Sequence, residues 1–86
     1  MKLNKEFILR EIAGEYILVP LGDTPLSFNG LITVNEVGAF IWNNIEKVSS
    51  EEDLLKLILD EYDVQENVAK EDLHMFLGKL REAEII

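Results

Sequence analysis

Between Phe28 and Trp42 the chain leaves itself few conformational choices. Asn29-Gly30 is a turn pair, because both residue types tolerate positive φ. Leu31-Ile32-Thr33-Val34 is apolar and β-branched, which suits a pleated, half-buried surface. Asn35 then offers a side-chain oxygen to the orphan N–H groups of a helix start. Thr33 with Glu36 is an alternative capping box, which moves the boundary without changing the reading. A strand that runs straight into a helix sets an open sheet edge beside helices. Function is expected at that edge.

The rest of the chain supplies a sheet before this junction and helices after it. Phe7 to Ile12 reads as a first strand. Ala13-Gly14-Glu15 is a turn, with Gly14 free to take positive φ. Tyr16 to Val19 is a second strand, which Pro20 ends or keeps at an edge. Gly22-Asp23-Thr24-Pro25 has loop chemistry, and Leu31 to Val34 is the third strand. The first helix is expected from Glu36 to Lys47, on the helical spacing of Val37, Phe40, Ile41, Ile45 and Val48, with Asn44 as its polar exception. Ala39 and Trp42 widen its apolar arc, which predicts a central helix and a largely buried Trp42. Gly38 costs about 1 kcal/mol inside a helix relative to Ala, so a close approach of neighbouring backbone is expected there.

A second helix begins near Ser49 or Ser50, where Ser49 and Glu52 match a capping box. Leu54, Leu55, Ile58, Leu59 and Tyr62 form its stripe. Asp63 to Asn67 is a linker. A third helix follows from Val68 to Ala83, with Ala69, Leu73, Phe76, Leu77 and Leu80 facing the core. The expected fold is α+β: a winged-helix-like domain, a three-stranded antiparallel β-sheet followed by three α-helices. One domain is expected over 1–86.

Composition narrows the chemistry. A net charge of −9 disfavours nucleic-acid binding, since phosphate backbones demand basic surface. The chain has no cysteine, so neither disulfides nor thiolate chemistry are available. Charges at Lys2, Lys5 and Glu6 interrupt the place where a signal peptide is apolar. No apolar run approaches the ~20 residues of a membrane span. A cytoplasmic protein without membrane association is the expectation. Glu51-Glu52-Asp53 and Glu71-Asp72 lie near helix starts, where the dipole favours negative charge. His74 falls off the core stripe and reads as an exposed or partly buried side chain. No metal-ligand spacing, phosphate-binding loop or nucleophile–base motif is present, so neither a cofactor nor catalysis is expected.

The third helix carries a second stripe. Val68, Asp72, Met75 and Lys79 recur at i, i+4, i+7 and i+11, with Phe76 between this stripe and the core stripe. A mixed apolar and charged stripe suits an ordinary boundary face, and it also suits the wall of a peptide groove.

The order of motifs resembles a known family. Asn29 to Trp42 fits N-G-x-x-x-x-N-E-x-G-A-x-I-W. It is followed by Ser49-Ser50-Glu51-Glu52, then Glu61-Tyr62-Asp63-Val64, Glu71-Asp72-Leu73, and a closing Leu80-Arg81-Glu82-Ala83-Glu84-Ile85-Ile86. This series is similar to the pyrroloquinoline quinone biosynthesis protein D (PqqD) family. The resemblance implies a peptide-recognition element for ribosomally made precursor peptides, found alone or fused to modifying enzymes. In that family a leader peptide lies between the third strand and the third helix.

The reading that follows is β-augmentation, in which a guest adds a strand to a sheet edge. Backbone groups of Leu31, Ile32, Thr33 and Val34 would hold the guest in register. Phe76, with Met75, Asp72 and Lys79, would read its alternate side chains. The partners implied are a precursor leader peptide and a peptide-modifying enzyme, a radical SAM enzyme in part of the family. The alternatives are a winged-helix nucleic-acid binder and a structural accessory subunit. The first needs a basic recognition helix, whereas the second helix sets Glu51, Glu52, Asp53, Asp60 and Glu61 against Lys56 alone.

The absence of any convergent ligand set is directly testable. Purified protein, dialysed extensively, should retain no stoichiometric zinc or iron by elemental analysis. One metal per chain would overturn this reading.

Overall fold

A computed structural model describes residues 1–4, 6–21 and 32–86. Strand β1 (Phe7–Ile12) turns back into β2 (Glu15–Pro20), in antiparallel register from Phe7 opposite Pro20 to Ile12 opposite Glu15. The connection is a two-residue turn with positive φ at both positions, 52° at Ala13 and 83° at Gly14. That is the mirror-image turn whose twist matches a hairpin. Sequence reasoning assigned positive φ to Gly14 only; the twist of the two strands imposes it on Ala13 as well. Strand β3 (Ile32–Val34) pairs antiparallel with β2, placing Tyr16 opposite Val34 and Leu18 opposite Ile32. The strand order is β1-β2-β3, so β3 is an outer strand among those described. The expected turn at Asn29-Gly30, the loop at Gly22 to Pro25, and Leu31 at the start of the third strand lie outside the described residues.

The pleat sorts the sheet into two faces. Phe7, Leu9, Tyr16, Leu18, Ile32 and Val34 point into the core. Ile8, Arg10, Ile12, Ile17, Val19 and Thr33 lie on the other face. Against the inner face pack three helices: α1 (Glu36–Asn44), α2 (Glu51–Glu61) and α3 (Glu66–Glu82). They bury Ile41, Leu54, Ile58, Leu73, Leu77 and Leu80 almost completely. The observed architecture is thus a three-stranded antiparallel sheet followed by three helices, an α+β fold.

Each helix start has a local cause. Asn35 caps α1, its Oδ1 accepting from the Gly38 N–H at 2.7 Å. The first turn of α1 therefore uses Asn35, and the Thr33–Glu36 alternative is not needed. Ser50, not Ser49, caps α2: its Oγ accepts from the Asp53 N–H at 3.2 Å. Ser49 instead donates to the Asp53 carboxylate at 3.2 Å, so the Ser49–Glu52 box does not form. Helix α3 begins at Glu66 without a side-chain cap, ahead of the expected start at Val68. No capping residue marks that start in the sequence.

Helix ends also depart from the simple pattern. The α-helical bonding of α1 stops at Asn44, and Ile45–Lys47 forms a single 3-10 turn, so the expected helix to Lys47 is two kinds of turn. The Asn44 side-chain amide donates to the Phe40 carbonyl at 2.8 Å, competing for a helical acceptor. At the end of α3, Glu84 takes φ of 60°. Its N–H donates to Arg81 O at 3.0 Å and the Ile85 N–H donates to Leu80 O at 2.8 Å. This is a Schellman closure, with the buried Leu80 and Ile85 supplying its apolar contact. Asn4 N–H then donates to Ile85 O at 2.6 Å, binding the chain start to this corner.

Helix α1 is the central element: only Glu36 and Asn43 are exposed along it. Trp42 is largely buried as expected, though not fully enclosed. The wide apolar arc carries its ring to the rim of the core, where it meets Phe7 edge-on at 6.3 Å between centroids. Phe40 meets Tyr62 in the same manner at 5.5 Å. Burial there lifts the Tyr62 phenol above its usual range, and Glu36 and Glu61 reinforce the shift.

The hairpin provides a direct test of this backbone. Ala13→Asn creates an Asn-Gly turn at two positions of positive φ, and Asn tolerates that conformation better than Ala. Chemical denaturation should show a gain of up to about 1 kcal/mol. A lowered midpoint with an unchanged slope would refute the assigned turn.

Candidate functional site

Helix α3 presents three faces. At about 100° per residue, Ala69, Leu73, Leu77 and Leu80 form the central, buried stripe. On one side of it His74 and Arg81 approach Glu51 of α2, at 3.9 and 3.8 Å. On the other side Asp72, Met75, Phe76 and Lys79 form a stripe that faces β3.

That stripe is one wall of a groove of about 130 Å³. Thr33 and Val34 of β3 form the opposite wall, and the start of α1 closes the floor with Asn35, Val37, Gly38 and Ile41. The strand-to-helix junction sets this geometry. The chain leaves β3 at Val34, caps at Asn35, and turns into α1 within a single residue. The floor must then be thin for α3 to approach, and Gly38 makes it so. A Cβ at Gly38 would lie 3.1 Å from Val34 Cβ, 3.3 Å from Asn35 Oδ1 and 3.3 Å from Phe76 Cε1. The close approach expected at this glycine exists, but side chains make it, not a neighbouring backbone.

The groove is mixed in character. Phe76 is half-buried against the core, while Met75 leaves 58% of its surface in solvent. Asp72 and Lys79 are exposed at the two ends of the α3 wall. Among the described residues neither has an ion-pair partner. No group of three or more His, Asp or Glu among the described residues is placed to hold a metal ion. The arrangement offers an outer strand flank for backbone hydrogen bonds, an apolar floor and one charge of each sign. Those are the components for holding an extended peptide, with no nucleophile paired to a base.

Of the site residues read from sequence, Thr33, Val34, Asp72, Met75, Phe76 and Lys79 all border this groove. Ile32 lies on the same strand, but its side chain turns to the core. Leu31 is outside the described residues. Val68, the first member of the mixed stripe, is 46% exposed and does not border the groove. Sequence reasoning missed the floor, Asn35, Val37, Gly38 and Ile41, as part of the site. Its signal was present in Gly38, a helix-interior glycine whose cost needed a local reason.

A family model for coenzyme PQQ synthesis protein D (PqqD) matches residues 8–86. The chain belongs to the PqqD family. The match runs through the sheet, the groove and all the PqqD helices. Among solved structures, this PqqD chain is similar to TbiB1 in complex with the TbiA(beta) leader peptide. The two are 26% identical with a TM-score of 0.71, over 99% of this chain and 93% of that chain. No curated protein matches the chain. No helix among the described residues is long and apolar enough to cross a membrane.

The floor glycine supplies a test. Gly38→Ala improves intrinsic helix propensity by about 1 kcal/mol. Yet its methyl group meets the buried Val34 and the Phe76 ring inside ordinary contact distance, and overpacking of this kind commonly costs about 1–3 kcal/mol. The melting temperature of Gly38→Ala should fall, and a rise would mean that the floor is looser than described.

Proposed function

We propose that this protein is a non-catalytic peptide-binding module. It captures the leader segment of a ribosomally made precursor peptide and presents it to a separate modifying enzyme. The carrying observation is the groove between an outer strand and α3, in a member of the PqqD family. Similarity to TbiB1, solved in complex with a leader peptide, supports the same reading.

In this reading the guest adds a strand beside β3, and its backbone bonds to the outer flank of Ile32 to Val34, with Leu31 continuing the site as the sequence reading has it. Alternate guest side chains enter the groove and meet Phe76, Met75, Asp72 and Lys79. The domain contributes local concentration and orientation, not chemistry. A cytoplasmic setting, a radical SAM partner enzyme and one self-contained domain over 1–86 belong to the same proposal. The exposed side chains of α2 are Glu52, Lys56, Asp60 and Glu61, a surface unsuited to phosphate backbones.

Calorimetry with the cognate leader peptide tests this. Phe76→Ala removes an aromatic anchor, a change that commonly costs ~2 kcal/mol or more, about thirtyfold in affinity. Ile32→Pro removes a strand N–H and should impair strand addition where that N–H faces the guest. Lys79→Glu is exposed and changes the wall without emptying the core. Circular dichroism and melting establish that each variant is folded. Three folded variants that bind like the parent would rule out this groove as the site, and no binding by the parent would rule out leader capture.

A further inference from the structure

Asp72 and Lys79 are set apart from the other charges of α3 by their place on the groove wall. His74 and Arg81 are drawn to Glu51 on the far side of the core stripe. Asp72 and Lys79 stand exposed on the groove wall with no ion-pair partner among the described residues. Between them lie Met75 and Phe76, an apolar step in the same wall. The wall therefore presents, in order along α3, an anion, an apolar patch and a cation.

For a strand laid parallel to the α3 axis, this wall sets a fixed spacing. Asp72 and Lys79 are seven positions apart, about 10.5 Å along a helix rising 1.5 Å per residue. Side chains on one face of a strand recur every ~6.7 Å, so positions four apart are ~13 Å apart. A pair two apart falls about 4 Å short and leaves no same-face position over Met75 and Phe76. A pair four apart overshoots by about 3 Å, which the long Lys79 stem can absorb, and seats the intervening same-face residue on the apolar step.

We infer that the guest of this chain carries two opposite charges four residues apart with an apolar residue midway, the cation opposite Asp72 and the anion opposite Lys79. The inference rests on the strand-capture reading and specifies its substrate class. Phe76 and Met75 supply contact area, while the two charges fix register. A slip of two residues along β3 keeps every side chain on its face but places the wrong partners against both charges. Reversing the guest exchanges the two charges in the same way, so strand polarity is selected with register.

The test uses the intact chain and a display library of randomised strand-length peptides. Selection on the parent should enrich opposite charges four apart about an apolar residue, in one of the two possible orders. Selection on Asp72→Lys should replace the enriched cation by an anion at the same position, and Lys79→Glu should replace the enriched anion. One enriched peptide, remade and titrated by calorimetry, should lose about twofold to fivefold for each charge neutralised, as exposed pairs do. Reversing a peptide charge together with its protein partner should restore affinity, and added salt should shrink the effect. Enriched peptides lacking this pattern, or a pattern unmoved by the charge reversals, overturn the inference while leaving strand capture standing. No enrichment on the folded parent overturns strand capture and this inference with it.

Discussion

The N–H of Gly38 donates to the Asn35 side chain at 2.7 Å, and the same residue has no side chain of its own. Both halves of that statement are needed. The hydrogen bond fixes where β3 ends and α1 begins. The missing Cβ lets Val34 and Phe76 close over the same point from two elements. A larger residue would push α3 outward, and a lost cap would let the start of α1 fray. Either change would widen the space between β3 and α3. The groove, the packing of Phe76 and the exit direction of the chain from the sheet thus depend on one short junction.

Much of this was legible in the sequence because the signals were local. Apolar runs and turn chemistry predict both strands of the first hairpin; β1 occupies Phe7–Ile12 as read, and β2 extends the expected Tyr16–Val19 by one residue at each end. Asn35 marks the start of α1 because a cap is a one-residue signal with a defined partner three positions on. The failures were also physical. Ser49 and Ser50 are both good caps in sequence, and only the backbone conformation decides that Ser50 accepts from Asp53. Helix α3 starts uncapped at Glu66, so nothing at that point announces it.

Reading the groove required one further step. The stripe of Asp72, Met75 and Lys79 could be recognised as distinct from the core stripe. Its assignment to a groove rather than a plain surface came from the family resemblance, and the packing against β3 could not be seen until the helices were arranged. The floor was hidden for a related reason. Val37 looks like an ordinary core position of an amphipathic helix, and its place on a groove depends on the angle between α1 and α3. That angle is a tertiary property, set through Gly38 and Phe76.

Among the described residues β3 is Ile32–Val34, paired on one side with β2. Any strand that adds to such a flank gains few backbone bonds, each worth about 1 kcal/mol net. For a guest held by these three residues alone, tight grip would have to come from the side chains of the wall. Residence is correspondingly brief for any guest lacking the right side chains. Such a flank would act as a filter in time: mismatched strands would leave early, and a matched strand would stay loose enough to be handed on.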